Sequence, residues 1–207
     1  MKFELIDMEN WPRKEYFDQY FKNVPCTYSM VVKLDITNVR KKGLRMYPAM
    51  MYYLTTVINR HVEFRMDIDK EGNVGYYDKS LPRYTVFHKD TETFSTLWTE
   101  FDENLEKFTD AYIKDLAEFG DNHRLEGKPH TPRNYFSVSM VPWTTFEGLN
   151  INIQNGYDYL KPVFTLGKFY EENGKILMPI AIQVHHAVCD GFHTTRFLKE
   201  LQELINE

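Results

Sequence analysis

Apolar and polar residues alternate along 27–37, where Tyr28, Met30, Val32, Leu34 and Ile36 share one side, so a strand is predicted there. Before it, Asn10-Trp-Pro12 reads as a helix start, with Pro12 in the first turn and the helix running to about Lys22. Pro48, followed by apolar residues through Ile58, predicts a second helix. Short strands are expected at 63–68, 74–77 and 84–88. Phe94, Leu97, Trp98, Phe101, Leu105, Phe108 and Tyr112 recur at steps of three and four, which predicts a long amphipathic helix. Residues 120–134, with Gly127, Pro129 and Pro132 among polar neighbours, read as a surface loop. The last third alternates again at 135–141 and 149–153, and 163–170 faces 176–185 across Asn173-Gly174, a hairpin signal. Gly191 opens a closing helix with Phe197, Leu198, Leu201 and Ile205 at helical spacing. Strands and helices mix without regular βαβ alternation. The expected class is therefore α/β of the α+β type, with a mixed, largely antiparallel sheet flanked by helices.

Composition narrows the function classes. At 207 residues, with no repeat and no low-complexity linker, one domain over 1–207 is expected. The 25 basic and 30 acidic residues give a net charge of −5, which argues against a nucleic-acid partner. Phe 15, Tyr 14 and Trp 3 exclude a disordered chain, and leave open whether those rings fill a core or line a pocket for a flat ligand. Cys26 and Cys189 stand far apart and form no CxxC pair, consistent with a reducing compartment. The N-terminus is charged, and the longest nearly apolar run, 46–54, is too short to span a bilayer. A soluble cytoplasmic protein is expected, with no membrane contact.

Chemistry concentrates in Gln183-Val-His185-His186-Ala-Val-Cys189-Asp190-Gly191-Phe-His193, at a strand-to-helix junction. Three readings compete there. A metal could use His185, His186, Asp190 and His193, but neighbouring strand residues point to opposite faces and no zinc spacing is present. Cys189 as a nucleophile would need a separate base and has no local signature. The two histidines could also be plain core or surface residues. The whole segment resembles the signature of the chloramphenicol acetyltransferase family almost residue for residue. The resemblance extends to Asn10-Trp-x-Arg13, Pro25-Cys26, Tyr47-Pro48, Thr85-Val-Phe-His88, Thr91-Glu-Thr-Phe-Ser95, Ser139-x-x-Pro142-Trp143 and Phe164-Thr165-Leu-Gly-Lys168, covering essentially the whole chain.

That resemblance implies a CoA-dependent acyltransferase fold and transfer of acetyl from acetyl-CoA, as co-substrate, to the primary hydroxyl of chloramphenicol, with no metal. It makes His186 the general base and leaves His185 structural. Ser139 would stabilise the oxyanion, Thr165 would hold a water near it, and Asp190 would pair with Arg13. A direct transfer in a ternary complex, with no acyl-enzyme, follows. The acceptor pocket is expected from Tyr20, Cys26, Tyr28, Thr85, Phe94, Leu149 and Ile151. For CoA, Arg45, Tyr47 and Lys168 fall near the family's positions. The basic run Arg40-Lys41-Lys42 is a further candidate for phosphate contact or simply a solvated face. The family also implies a homotrimer with sites at subunit interfaces, His186 acting on a drug held by Tyr20, Tyr28 and companions of the adjacent chain.

Other functions remain to be separated. A related CoA-dependent acyltransferase with another alcohol or thiol acceptor, such as a dihydrolipoyl transacetylase core, shares the HxxxDG pattern, though no lipoyl domain or linker is present. A protein that only sequesters a hydrophobic drug would not need the His, Ser, Asp and Arg set. Serine-hydrolase chemistry lacks its GxSxG elbow.

Overall fold

The computed structural model describes residues 1–152 and 158–207. Strand β1 (Phe3–Leu5) leads to helix α1 (Lys14–Asp18), which continues as a π-helical turn over Gln19–Asn23. Then come β2 (Thr27–Asp35), the short α2 (Thr37–Lys41) and α3 (Met46–Arg60). After a 3-10 turn at Val62–Phe64 the chain forms β3 (Met66–Ile68), β4 (Val74–Tyr77), β5 (Leu81–His88) and β6 (Thr93–Trp98). Helix α4 (Leu105–Phe119) precedes β7 (Tyr135–Val141), β8 (Val163–Gly167), β9 (Tyr170–Glu172) and β10 (Lys175–His185). Helix α5 (Gly191–Asn206) closes the chain.

The main sheet runs β2-β10-β8-β7-β5-β6, with β9 pairing the start of β10. Strand β7 is parallel to β5 and β8; the remaining pairs are antiparallel. The mixed, largely antiparallel sheet expected from the pattern is therefore present. A small antiparallel sheet, β1-β4-β3, stands apart.

Period-two alternation gives the main sheet two unlike faces. Leu34, Tyr84, Leu97, Phe136, Val138, Phe164, Leu166, Ile180, Ile182 and Val184 are buried against the helices, joined by Met50, Leu54 and Ile58 of α3, Phe108 of α4, and Phe197, Leu201 and Ile205 of α5. The alternate residues put Ser29, Thr85, Ser139, Thr165 and Gln183 on the other face, fixed by register: Ser139 lies beside Thr165, Thr165 beside Ala181, and Gln183 beside Ser29. The hairpin turns where expected, with Asn173 and Gly174 at φ of 52° and 76°. Two successive left-handed residues match the twist of the strands they join.

The sequence pattern misleads in three places. Residues 93–98 form β6, paired with β5 from Phe87↔Phe94 to Arg83↔Trp98, so Phe94, Leu97 and Trp98 belong to no helix. Threonines and aromatics at 93–99 favour the extended chain, and the helix starts only after Asn104, whose side chain accepts the Lys107 N–H at 3.0 Å. Residues 149–152 form no strand, and Ile153 lies outside the described residues. The Ile151 peptide is gripped by the Gln183 side chain instead, through Ile151 N–H to Oε1 at 2.8 Å and Nε2–H to Ile151 O at 2.7 Å. Strand β1 and helix α2 leave no sequence signal, because three and five residues are too short to show a period. Among the described residues no helix is long and apolar enough to cross a membrane.

Candidate active site

His186 sits just past the end of β10, where the chain turns toward α5. Its backbone N–H donates to Cys26 O at 2.9 Å, tying the turn to the residue before β2. The ring is flanked by two tyrosines: Tyr20 stacks on it at 3.9 Å between centroids and 11° between planes, and Tyr28 meets it edge-on at 5.4 Å. Tyr20 lies in the π-helical turn, where the extra residue in the helical repeat re-aims side chains. Tyr28 is locked from the other end, its hydroxyl 3.0 Å from Thr194 Oγ1. Burial pushes the Tyr28 phenol up to about 12, so it stays protonated at neutral pH.

His186 Nδ1 lies 3.3 Å from the carbonyl of Cys189. A carbonyl can only accept, so Nδ1 carries the proton and Nε2 is left with the lone pair. His185, fully buried, accepts the Ala187 N–H on its Nδ1 at 3.1 Å and leans on Phe21. Cys189 is buried, its Sγ on Glu63 O, and burial raises its thiol well above the ordinary value. A protonated, enclosed thiol is a poor nucleophile.

Asp190 caps α5, its carboxylate accepting the Phe192 N–H at 3.0 Å. Arg13 Nη1 reaches Asp190 Oδ2 at 3.0 Å, across 177 residues of sequence. Burial pushes the Asp190 carboxyl up, but the Arg13 bond and His193 together outweigh it and hold it below the ordinary 3.8. The carboxylate is thus engaged by Arg13 and the helix start, with His186 turned to Cys189 O instead. No Asp–His–Ser triad forms from these residues.

Ser139 and Thr165 occupy the other face. Their hydroxyls are 3.1 Å apart, so Thr165 contacts Ser139 directly. Ser139 lines a cleft of about 410 Å³ together with Arg83, Thr85, Ser137, Ile151 and Tyr159, among others. Phe94 is half exposed on β6, beside Phe87, whose ring meets Trp143 edge-on at 4.8 Å.

The expected residues therefore fall into two groups. Arg13, Tyr20, Cys26, Tyr28 and Asp190 gather around His186, while Thr85, Ser139 and Ile151 line the cleft and Thr165 touches Ser139. Tyr20 and Tyr28 meet His186 of their own chain. Register measures the gap between the groups. Ser139 is level with Thr165 and Ala181, so His186 lies five residues further along and two strands across. At ~3.3 Å per residue and ~4.8 Å per strand that is about 19 Å between backbones.

Of the CoA candidates, Arg45 and Lys168 are exposed. Tyr47 is half buried, with its hydroxyl donating to Val138 O at 3.2 Å. Leu149 is partly covered beside Ile151. Arg40 lies over the Phe169 ring at 5.1 Å, and Arg40 and Lys41 end α2, where cations offset the helix dipole. Sequence reasoning missed Thr194, Arg83, Ser137 and Tyr159. Period two alone would have put Ser137 with Ser139 and Arg83 with Thr85. Nothing local marks Thr194 as the partner of Tyr28.

The family model described as "Chloramphenicol acetyltransferase" matches residues 1–202. A relative of that name from Clostridium perfringens is 59% identical over 206 residues, covering 100% of both chains. Among solved structures, a chloramphenicol acetyltransferase superposes with a TM-score of 0.84 at 22% identity, covering 99% of this chain and 100% of that one. The truncated catalytic core of a 2-oxoacid dehydrogenase multienzyme complex from Thermoplasma acidophilum follows with a TM-score of 0.67 at 15% identity, covering 99% and 98%. These two share the fold.

Proposed function

The chain belongs to the chloramphenicol acetyltransferase family of acyltransferases, and on that premise we propose that it moves acetyl from acetyl-CoA to the primary hydroxyl of chloramphenicol. The observation that carries the reading is the 3.3 Å contact of His186 Nδ1 with Cys189 O, which calls for a proton on Nδ1 and so presents Nε2 as a base. An alcohol is a poor nucleophile at neutral pH, and an imidazole is well matched to accept its proton as the oxygen attacks. The attack on the thioester carbonyl forms the new C–O bond and puts negative charge on the carbonyl oxygen. The Ser139 hydroxyl donates to that oxyanion, with Thr165 setting its direction from 3.1 Å. Collapse breaks the C–S bond, the CoA sulfur leaves, and the proton on Nε2 goes to it. The products are O-acetylated drug and free CoA thiol. No acyl-enzyme forms.

Asp190 and Arg13 hold the turn that carries His186. The acceptor would lie among Tyr20, Cys26, Tyr28, Thr85, Phe94, Leu149 and Ile151, whose rings and apolar side chains suit a nitrophenyl group. Arg45 and Lys168 would meet the phosphates of CoA, with Tyr47 behind them. His186 and Ser139 are about 19 Å apart along the sheet of one chain, so a shared reaction needs His186 from one copy and Ser139 from the next. A homotrimer with sites at its interfaces supplies that arrangement. One domain per chain and a cytoplasmic setting, where acetyl-CoA is at hand, complete the proposal.

The test is to incubate the purified protein with acetyl-CoA and chloramphenicol, follow thiol release with a chromogenic reagent, and locate the acetyl group on the product. Release that depends on the drug, with acetyl on the primary oxygen, is expected. Release no faster than without acceptor would overturn the assignment.

A further inference from the structure

His193, in the first turn of α5, has no part in the transfer just described, yet it touches Asp190 twice. Its Nδ1 is 2.8 Å from Asp190 Oδ1 and 3.2 Å from the Asp190 backbone nitrogen. One nitrogen cannot serve both contacts. It accepts from the peptide N–H only when bare, and donates to the carboxylate only when protonated. A bare lone pair 2.8 Å from a carboxylate oxygen is repulsive, whereas a proton between them makes a charge-assisted bond. The shorter contact decides for the proton. With 14% of its side chain exposed, His193 is largely sheltered from water that could compete for this bond.

We infer that His193 is a positioning residue: its Nδ1–H holds Asp190 Oδ1 while Arg13 holds Oδ2, so the carboxylate is fixed through both oxygens. The consequence reaches the chemistry through one peptide. Asp190 follows Cys189, whose carbonyl receives the His186 Nδ1–H at 3.3 Å. That bond is long, so a small rotation of the Cys189–Asp190 peptide breaks it. His186 then no longer has a reason to keep its proton on Nδ1, and the tautomer with the proton on Nε2 cannot take one from an alcohol. Losing His193 therefore lowers turnover through the share of His186 in the working form, and leaves substrate binding alone. The charged group that His193 meets is Asp190, itself paired to Arg13, with Arg196 one turn along α5 paired to Glu63 of the 3-10 turn. The inference rests on His186 being the base.

The experiment compares kcat and both KM values of the parent, His193→Leu, His193→Asn and His186→Ala, on protein shown folded by circular dichroism. Leu removes the donor, and Asn places an amide N–H near the position of Nδ1–H. His193→Leu is expected to lose about tenfold or more in kcat with both KM values within about twofold, and His193→Asn to recover to within about threefold of the parent. Parent-like turnover in His193→Leu overturns the inference, and so does His193→Asn as impaired as His193→Leu. Independently of any variant, imidazole nitrogen NMR on the parent should show the His193 proton on Nδ1; a bare Nδ1 overturns it too. Normal turnover in His186→Ala overturns the base assignment itself, so the two failures are told apart.

Discussion

At His186 a single carbonyl settles which ring nitrogen keeps its lone pair, because Cys189 O can accept only from Nδ1–H. His186→Ala should therefore lose about 10³-fold or more in kcat, measured by thiol release, while the protein stays folded. Ser139→Ala should lose about 10²-fold in kcat with KM within twofold, since the oxyanion exists only after attack. An unchanged kcat in either variant would remove that residue from the mechanism. Asp190 makes a pH prediction. Its folded carboxyl titrates below the ordinary 3.8, so its pairing with Arg13 adds stability that is complete above that value and lost as pH falls through the folded one. The difference in urea midpoint between the parent and Arg13→Met should be constant near neutrality and shrink below about pH 4. At this scale the family motif was enough to name His186, Ser139 and Asp190 as candidates. Their contacts were not, because Thr194 against Tyr28 and His193 against Asp190 depend on how α5 lies over the end of β2 and the turn.

The elements show where local pattern is enough and where it is not. Asn173-Gly174 was readable because two left-handed residues between alternating runs have few other uses. Gly174→Val should cost about 1–2 kcal/mol in chemical denaturation, by forcing a β-branched residue to positive φ. Strand β7 was readable to the residue, since Phe136 and Val138 are buried while Ser137 and Ser139 between and after them line the cleft. The helix expected from Phe94 was not, because steps of three and four can arise by chance where Thr and aromatic residues also suit a strand. Side-by-side pairing with β5 decided the matter for 93–98, and the Asn104 cap set the true start of α4. Removing that cap by Asn104→Ala should cost about 1 kcal/mol and leave acetylation untouched. The alternation expected to make a strand likewise gives none over residues 149–152, because Gln183, a distant side chain, occupies the Ile151 peptide.

Across the whole molecule the sheet works as a spacer. Its register puts Ser139 and Thr165 level with the middle of β10, while His186 lies beyond the end of that strand, beside Tyr28 from the helix-covered face. If His186 and Ser139 serve one reaction as proposed, a chain that holds them about 19 Å apart is complete only beside another copy of itself. No residue pattern could have shown this, since the gap depends on strand order and not on sequence spacing. The most direct measurement is complementation. His186→Ala and Ser139→Ala chains, each inactive alone, are unfolded together, refolded and assayed for drug-dependent thiol release. If each site takes His186 from one chain and Ser139 from its neighbour, random mixing makes about a quarter of the sites intact, and about a quarter of parental activity should return. Activity no greater than the sum of the two separate variants would contradict the account.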